Sequence, residues 1–332
     1  MEWTSCPIMY KGFRQHEEQI SRSSFLARHG FWLLFLLFTA PLADHSQAAA
    51  PPVAYIAGSG NTALDHHVTQ LLEQQLGNTA TLKPLADNDL ASIRKTPVIA
   101  IGPTAFSRVR QANREIPVLA LLVARKFIQS YIERSPGRIS AVYYDVPLLR
   151  QALTGKAILP QANRVAMLAT TESAELYEPL IDQLKGYDLD AKVFIADTED
   201  QLIPTLIRAL SYGDFLLAGP DDTIYNPRNI KHILLTAYRR NRILIGPSQA
   251  YVKAGALASS YAPFSSMAKE ASGLLLAYLS TGNFPSPVYP DEYRIEVNKQ
   301  VARSLNIPLP AREWIAQSVQ NMINIDDPEA GP

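Results

Sequence analysis

The sequence predicts an α/β protein made of two doubly wound parallel-sheet lobes, and three observations carry that expectation. Short apolar runs alternate with helical patterns along most of the chain, and the alternation comes in two successive series. The roughly 280 residues that follow an apolar leader exceed what one hydrophobic core usually holds. Strand-helix alternation of this kind implies parallel strands joined by right-handed crossovers.

The leader comes first. Residues 31–43 are an uncharged apolar run preceded by Lys11, Arg22 and Arg28. The run is shorter than the ~20 residues of a membrane span and ends in small residues, which predicts the h-region of a secretory signal peptide over 1–48. Ser46 and Ala48 place small side chains at the positions that direct cleavage after Ala48; an uncleaved anchor is the alternative, and a start at Met9 would leave a more ordinary leader. Cys6 is the one cysteine, so the exported chain needs no disulfide and offers no thiolate to a metal. Lys and Arg number 31, as do Asp and Glu. A neutral chain has no electrostatic footprint for nucleic acid or for anionic lipid.

In the first series, residues 53–57 predict a buried strand and Gly58-Ser59-Gly60-Asn61 a turn. Leu64, Val68, Leu71, Leu72 and Leu76 share one helix face, with Asn61 as its cap and Gly77 as its end. Residues 97–102 and 117–123 are the next apolar runs, flanking a helix that starts near Thr104, and 139–144 is a further strand. The second series reads strand 165–169, helix 172–184, strand 193–196, helix 199–210, strand 215–218, helix 227–239 and strand 243–245. In such sheets ligands sit beyond the carboxyl ends of the strands, where the strand order switches. The loops after Ala57, Gly102, Val123, Ala169, Ala218 and Ile245 are therefore the ones to inspect.

Ser59 and Gly60 form either a tight turn or an anion cradle at a helix start. Thr104 is an N-cap hydroxyl that could also hold a ligand carboxylate. Thr170 or Thr171 repeats that logic, with Glu172 complementing the helix dipole. Asp221 and Asp222 put two adjacent carboxylates after a buried strand, where a cationic amine would be stabilised; the alternative is a cap for the next helix, although Asn226-Pro227 fits that start better. Asp65-His66-His67 is not a metal cluster, because neighbouring helix positions point about 100° apart. Arg239-Arg240-Asn241-Arg242 suits a helix C-terminus, where cations favour the dipole. Neither a Ser-His-Asp elbow nor a metal-binding His-Glu motif nor a phosphate loop is present in the sequence, so no enzyme activity and no cofactor are expected.

Four segments together carry a resemblance. Gly255-Ala256-Leu257-Ala258-Ser259-Ser260-Tyr261, Gly282-Asn283-Phe284-Pro285, Arg294-Ile295-Glu296-Val297-Asn298-Lys299 and Leu305-Asn306-Ile307-Pro308 occur in that order. The chain resembles the ABC transporter substrate-binding proteins of the tryptophan/tyrosine-binding-like family, which have a periplasmic-binding-protein type I fold. The resemblance implies two lobes joined by three crossings, near 140–147, 247–261 and 281–292, that close on a small solute. Residues 52–142 plus about 262–284 would form the first lobe and 143–261 plus about 285–310 the second. Residues 311–332 would be an added amphipathic helix, carried by Trp314, Ile315, Val319 and Met322, and a tail. The resemblance further implies a monomeric periplasmic protein that delivers an amino acid or similar molecule to an ABC permease in the inner membrane, or else a sensor signalling to a membrane partner. Asp221 would take the solute amine, and Ser248 and Tyr261 would touch the solute. Val123-Ala124-Arg125-Lys126-Phe127 departs from the family pattern; Arg125 and Lys126 there either bind an anionic ligand group or are merely solvated.

Overall fold

A computed structural model describes residues 50–86, 89, 90 and 92–326, the side chains of 325 and 326 excepted. The expected leader and terminal tail lie outside them. Strands β1 (Val53–Ala57), β2 (Thr81–Pro84), β3 (Val98–Ile101), β4 (Val118–Val123) and β5 (Ile139–Tyr143) form one parallel sheet in the order β2-β1-β3-β4-β5. Helices α1 (Thr62–Leu76), α2 (Gly102–Ala112) and α3 (Arg125–Arg134) alternate with them. The central strands are apolar at every position because both faces are covered. Ile99, Ile101, Leu119 and Leu121 pack to one side, while Val98, Ala100, Val118 and Ala120 pack to the other.

The second sheet has six strands: β6 (Arg164–Ala169), β7 (Asp190–Ile195), β8 (Phe215–Leu217), β9 (Ile243–Ile245), β10 (Ala258–Tyr261) and β11 (Arg294–Val297). Their order is β11-β10-β9-β8-β6-β7, parallel except for β11. Around it lie α4 (Leu148–Ile158), α5 (Glu178–Lys185), α6 (Glu199–Tyr212), α7 (Ile230–Arg239) and α8 (Gln249–Ala254). Helix α9 (Phe264–Thr281) returns to the first sheet and packs on α1, β4 and β5. Helices α10 (Lys299–Ser304) and α11 (Arg312–Asp326) end the described chain, α11 lying on α4 and β11.

Three segments link the sheets. Residues 144–147 lead from β5 to α4, and 262–263 lead from β10 back to α9. The third runs past Val288, which bridges to Val142 beside β5, and enters β11. The middle crossing is thus two residues long; residues 247–261 belong wholly to the second sheet and its helix α8.

Several local expectations change. Strand β2 carries no apolar run and is half exposed, so its sequence hid it. Arg125 and Lys126, expected in a loop, begin α3. Helix α2 starts at Gly102, which puts Thr104 inside the first turn with no capping bond. The helix expected at 172–184 opens as a 3₁₀ turn over Ala174–Tyr177 and becomes regular only at Glu178. In α11, Ile315 and Val319 are fully buried, whereas Trp314 is 52% exposed. Neighbouring helix positions diverge by about 100°, so Trp314 and Ile315 cannot share one face.

Candidate functional site

Strand order reverses between β1 and β3 in the first sheet and between β6 and β8 in the second, so crevices open beyond the carboxyl ends of those pairs. In the first sheet the loops carrying Ser59 and Gly102 adjoin; a Cβ at Gly102 would meet the Ser59 Cβ at 3.9 Å. In the second sheet Thr170 meets Asp221. The structure therefore gathers Ser59, Gly60 and Thr104 at one switch point, and Thr170, Asp221 and Asp222 at the other. Arg125 follows β4, Ser248 opens α8, and Tyr261 ends β10.

The exposed backbone donors of these loops are already taken by carboxylates of the chain itself. Ser59 donates through its N–H at 2.8 Å and its hydroxyl at 2.7 Å to Asp65 Oδ1, and the Gly60 N–H reaches Oδ2 at 3.3 Å. The anion in that cradle is Asp65, from the first turn of α1. Asp197 accepts the Thr171 N–H at 2.7 Å and its hydroxyl at 2.8 Å. Asp145 accepts the Arg125 N–H at 2.9 Å and so offsets two cations at a helix start that the dipole disfavours.

Asp221 is the most committed of them. It is 3% exposed. Its Oδ2 accepts the Thr170 N–H at 2.9 Å, the Thr170 hydroxyl at 3.0 Å and the Ser173 hydroxyl; Oδ1 accepts the N–H groups of Thr223 at 3.0 Å and Ile224 at 3.1 Å. Burial alone would push its carboxyl up, but the Ser173, Thr170 and Ile224 hydrogen bonds outweigh burial and hold it below the ordinary carboxylate value. Asp221 thus ties the loop after β6 to the loop after β8, and its oxygens face protein donors instead of an open crevice. Beneath that junction lies Tyr177, fully buried; a Cβ at Gly219 would fall 2.1 Å from its hydroxyl, so only glycine fits there.

What stays exposed differs from the sequence expectation. Thr104, Arg125 and Asp222 are exposed, and Ser248 is half-buried with no capping bond from its side chain. Tyr144, which the sequence did not single out, is 47% exposed immediately after β5. A bulge between Leu121 and Val123, with Leu122 at φ 56°, turns the end of β4 so that the Tyr144 N–H bonds the Val123 carbonyl at 3.0 Å. The signal in the sequence was the doubled tyrosine: in a strand, neighbours face opposite ways, and Tyr143 is the buried one. Tyr143 stacks on Tyr289 with centroids 4.7 Å apart, and the Tyr289 hydroxyl reaches Asp145 at 3.5 Å. Burial first, then the Asp145 charge, push that hydroxyl up to about 12 against the pull of Arg125. Burial likewise pushes the Asp145 carboxyl up, opposed by the Arg125 N–H. Tyr261 lines a separate cavity beside α11, with Arg150 and Tyr293.

No family model matches the sequence, and no curated protein matches it. Solved structures do. The chain is similar to the ligand-free, open structure of CD0873, a substrate binding protein with adhesive properties from Clostridium difficile; identity is 15%, TM-score 0.64, and the match covers 80% of this chain and 98% of that one. It is similar to a conserved domain protein from Vibrio cholerae, at 15% identity, TM-score 0.52, and 82% and 98% coverage. The same values describe its likeness to the ABC domain in complex with L-Trp from Streptococcus pneumonia. At such identity the shared property is the course of the backbone. With two doubly wound sheets and three crossings, this chain has the fold of the type I periplasmic substrate-binding proteins.

Proposed function

We propose that the protein is an extracytoplasmic solute-binding component of an ABC importer, which closes its two lobes on an amino acid or a similar small polar or aromatic molecule and presents it to a membrane permease. The observation that carries this is the placement of two sets of switch-point loops on sheets connected by three segments. Hinge closure about short crossings can bring such loops onto one ligand, and a partner that reads the closed state then reads occupancy. Thr104, Arg125, Tyr144, Asp222 and Ser248 are the side chains left to contact solute, since those of Ser59, Thr170 and Asp221 are held by internal hydrogen bonds. Arg125 suits a carboxylate, Asp222 an amine, and the exposed Tyr144 ring a planar or apolar body. Two doubly wound lobes that bind without transforming their ligand need no nucleophile and no cofactor.

A thermal-shift screen of amino acids, small carboxylates and nucleobases tests the proposal. A true solute at a hundredfold excess over Kd will stabilise the protein by about 2.7 kcal/mol. Tyr144→Ala will weaken solute binding by about tenfold while leaving the ligand-free melting temperature unchanged, because an exposed ring contributes little to folding. If no small solute raises the melting temperature and gently purified protein carries none, the proposal fails.

A further inference from the structure

A cavity of about 630 Å³ lies beside α11, walled by the third crossing and β11 on one side and by one face of α11 on the other. Its volume falls within the range of small-molecule sites. It is separate from the switch-point loops: of the sequence-predicted site residues, Tyr261 alone borders it. The feature that demands explanation is Arg150, in the first turn of α4. Its side chain is a cavity wall, yet the residue is only 8% exposed.

A buried guanidinium is normally matched by a carboxylate, because an unpaired buried charge is expensive. Arg150 has no such match. One of its N–H groups donates to Gln320 Oε1 at 2.8 Å, and its face lies 4.2 Å from the centroid of the Tyr293 ring. Among the described residues the bond to Gln320 is the one hydrogen bond of its five-donor fork, and its other donors are not sealed from solvent. The Tyr293 hydroxyl is buried without a hydrogen-bond partner. Burial holds the guanidinium below its ordinary value; the Tyr293 phenol acts weakly the other way, and no carboxylate does.

The rim carries one acid more than it has cations. Arg312 pairs with Glu296 at 3.0 Å and Asp291 faces Lys269 at 3.9 Å, while Glu292 and Glu313 oppose Arg294. A dianion would meet the rim acids; a single carboxylate would pass them and find the Arg150 fork. Ile295, Ala316 and the rings of Tyr261 and Tyr293 supply an apolar wall for the rest of such a molecule.

We propose that this cavity is a second ligand site, which takes a small monocarboxylate with an apolar body, its carboxylate on Arg150 and its body against the Tyr293 ring. It is independent of the solute site in the crevice.

Calorimetric titration of the full chain with benzoate, and separately with inorganic phosphate, tests the site. Benzoate will bind with a Kd of about 1 mM or tighter, and phosphate will bind more weakly. Arg150→Gln will weaken benzoate by about tenfold or more, as expected for loss of a charge-assisted bond. Ala316→Phe, which puts a ring into the cavity wall and leaves Arg150 in place, will weaken binding by about tenfold or more; it decides the question alone if Arg150→Gln fails to fold by circular dichroism. Benzoate binding that Tyr144→Ala weakens and Ala316→Phe spares belongs to the crevice and overturns this proposal, so failure of the crevice proposal and failure of this one are separable. Absence of benzoate binding up to about 10 mM, unchanged affinity in Ala316→Phe, or tighter binding of phosphate overturns the proposal.

Discussion

Asp221→Asn will lower the melting temperature of the ligand-free protein by about 8 °C, from a loss of about 3 kcal/mol. Five donors converge on the two Asp221 oxygens, three from Thr170 and Ser173 after β6 and two from Thr223 and Ile224 after β8. Hydrogen bonds to a charged acceptor contribute about 1.5–3 kcal/mol each, though not additively. An asparagine in the same place offers one oxygen and one NH₂, so whichever way the amide turns, a donor faces donors. The sign with pH follows from the direction of the shift. The folded carboxyl sits below its ordinary value of 3.8, so its stabilisation is complete above that value and is lost as pH falls through the folded value. The gap between wild type and variant will therefore be full at pH 7 and will close below about pH 4. Urea unfolding at both pH values measures it. If Asp221 were instead the anchor of a solute amine, as the sequence suggests, the substitution would spare ligand-free stability and cost affinity alone; that result would reverse the assignment.

The fold was legible where burial decides the sequence and illegible where a partner far along the chain does. Residues 98–101, 118–123 and 165–169 are buried strands covered on both faces, and such strands read as continuous apolar runs. Asn61 and Gly77 bound α1 with local chemistry, Asn61 accepting the Leu64 N–H at 3.2 Å, and both were readable. Helix α3 was not, because its start is stabilised by Asp145, twenty residues onward, instead of by a capping residue of its own. The site suffered from the same cause. Local reasoning identifies Ser59, Thr170 and Asp221 as polar groups in crevice loops, but it cannot reveal that Asp65 occupies the first, or that Thr170 and Asp221 satisfy each other across fifty residues. Internal acids therefore satisfy the donors that local reasoning would offer to a ligand. Tyr144 was overlooked because only the pairing of β5 decides which of two adjacent tyrosines turns outward.

Helix α11 offers the sharpest contrast between sequence pattern and packing. Trp314, Ile315, Val319 and Met322 all read as one apolar stripe, yet the helix buries Ile315 and Val319 completely, keeps Met322 partly covered and leaves Trp314 out. Ile315 and Val319 are four residues apart and so lie one above the other on the face turned to α4 and β11, within the same core cluster as Leu153, Ile295 and Val297. Ile315→Ala will therefore destabilise the protein by about 3 kcal/mol, the transfer cost of the lost carbons plus a cavity that the flanking sheet cannot collapse to fill. Trp314→Ala, which removes more than twice as many atoms, will change stability by no more than about 0.5 kcal/mol, since surface substitutions leave the core intact. Urea denaturation of both variants beside the wild type makes the comparison. A larger loss for Trp314→Ala would mean that α11 docks by its other face, and with it the cavity walled by Gln320 and Arg150 would be lost.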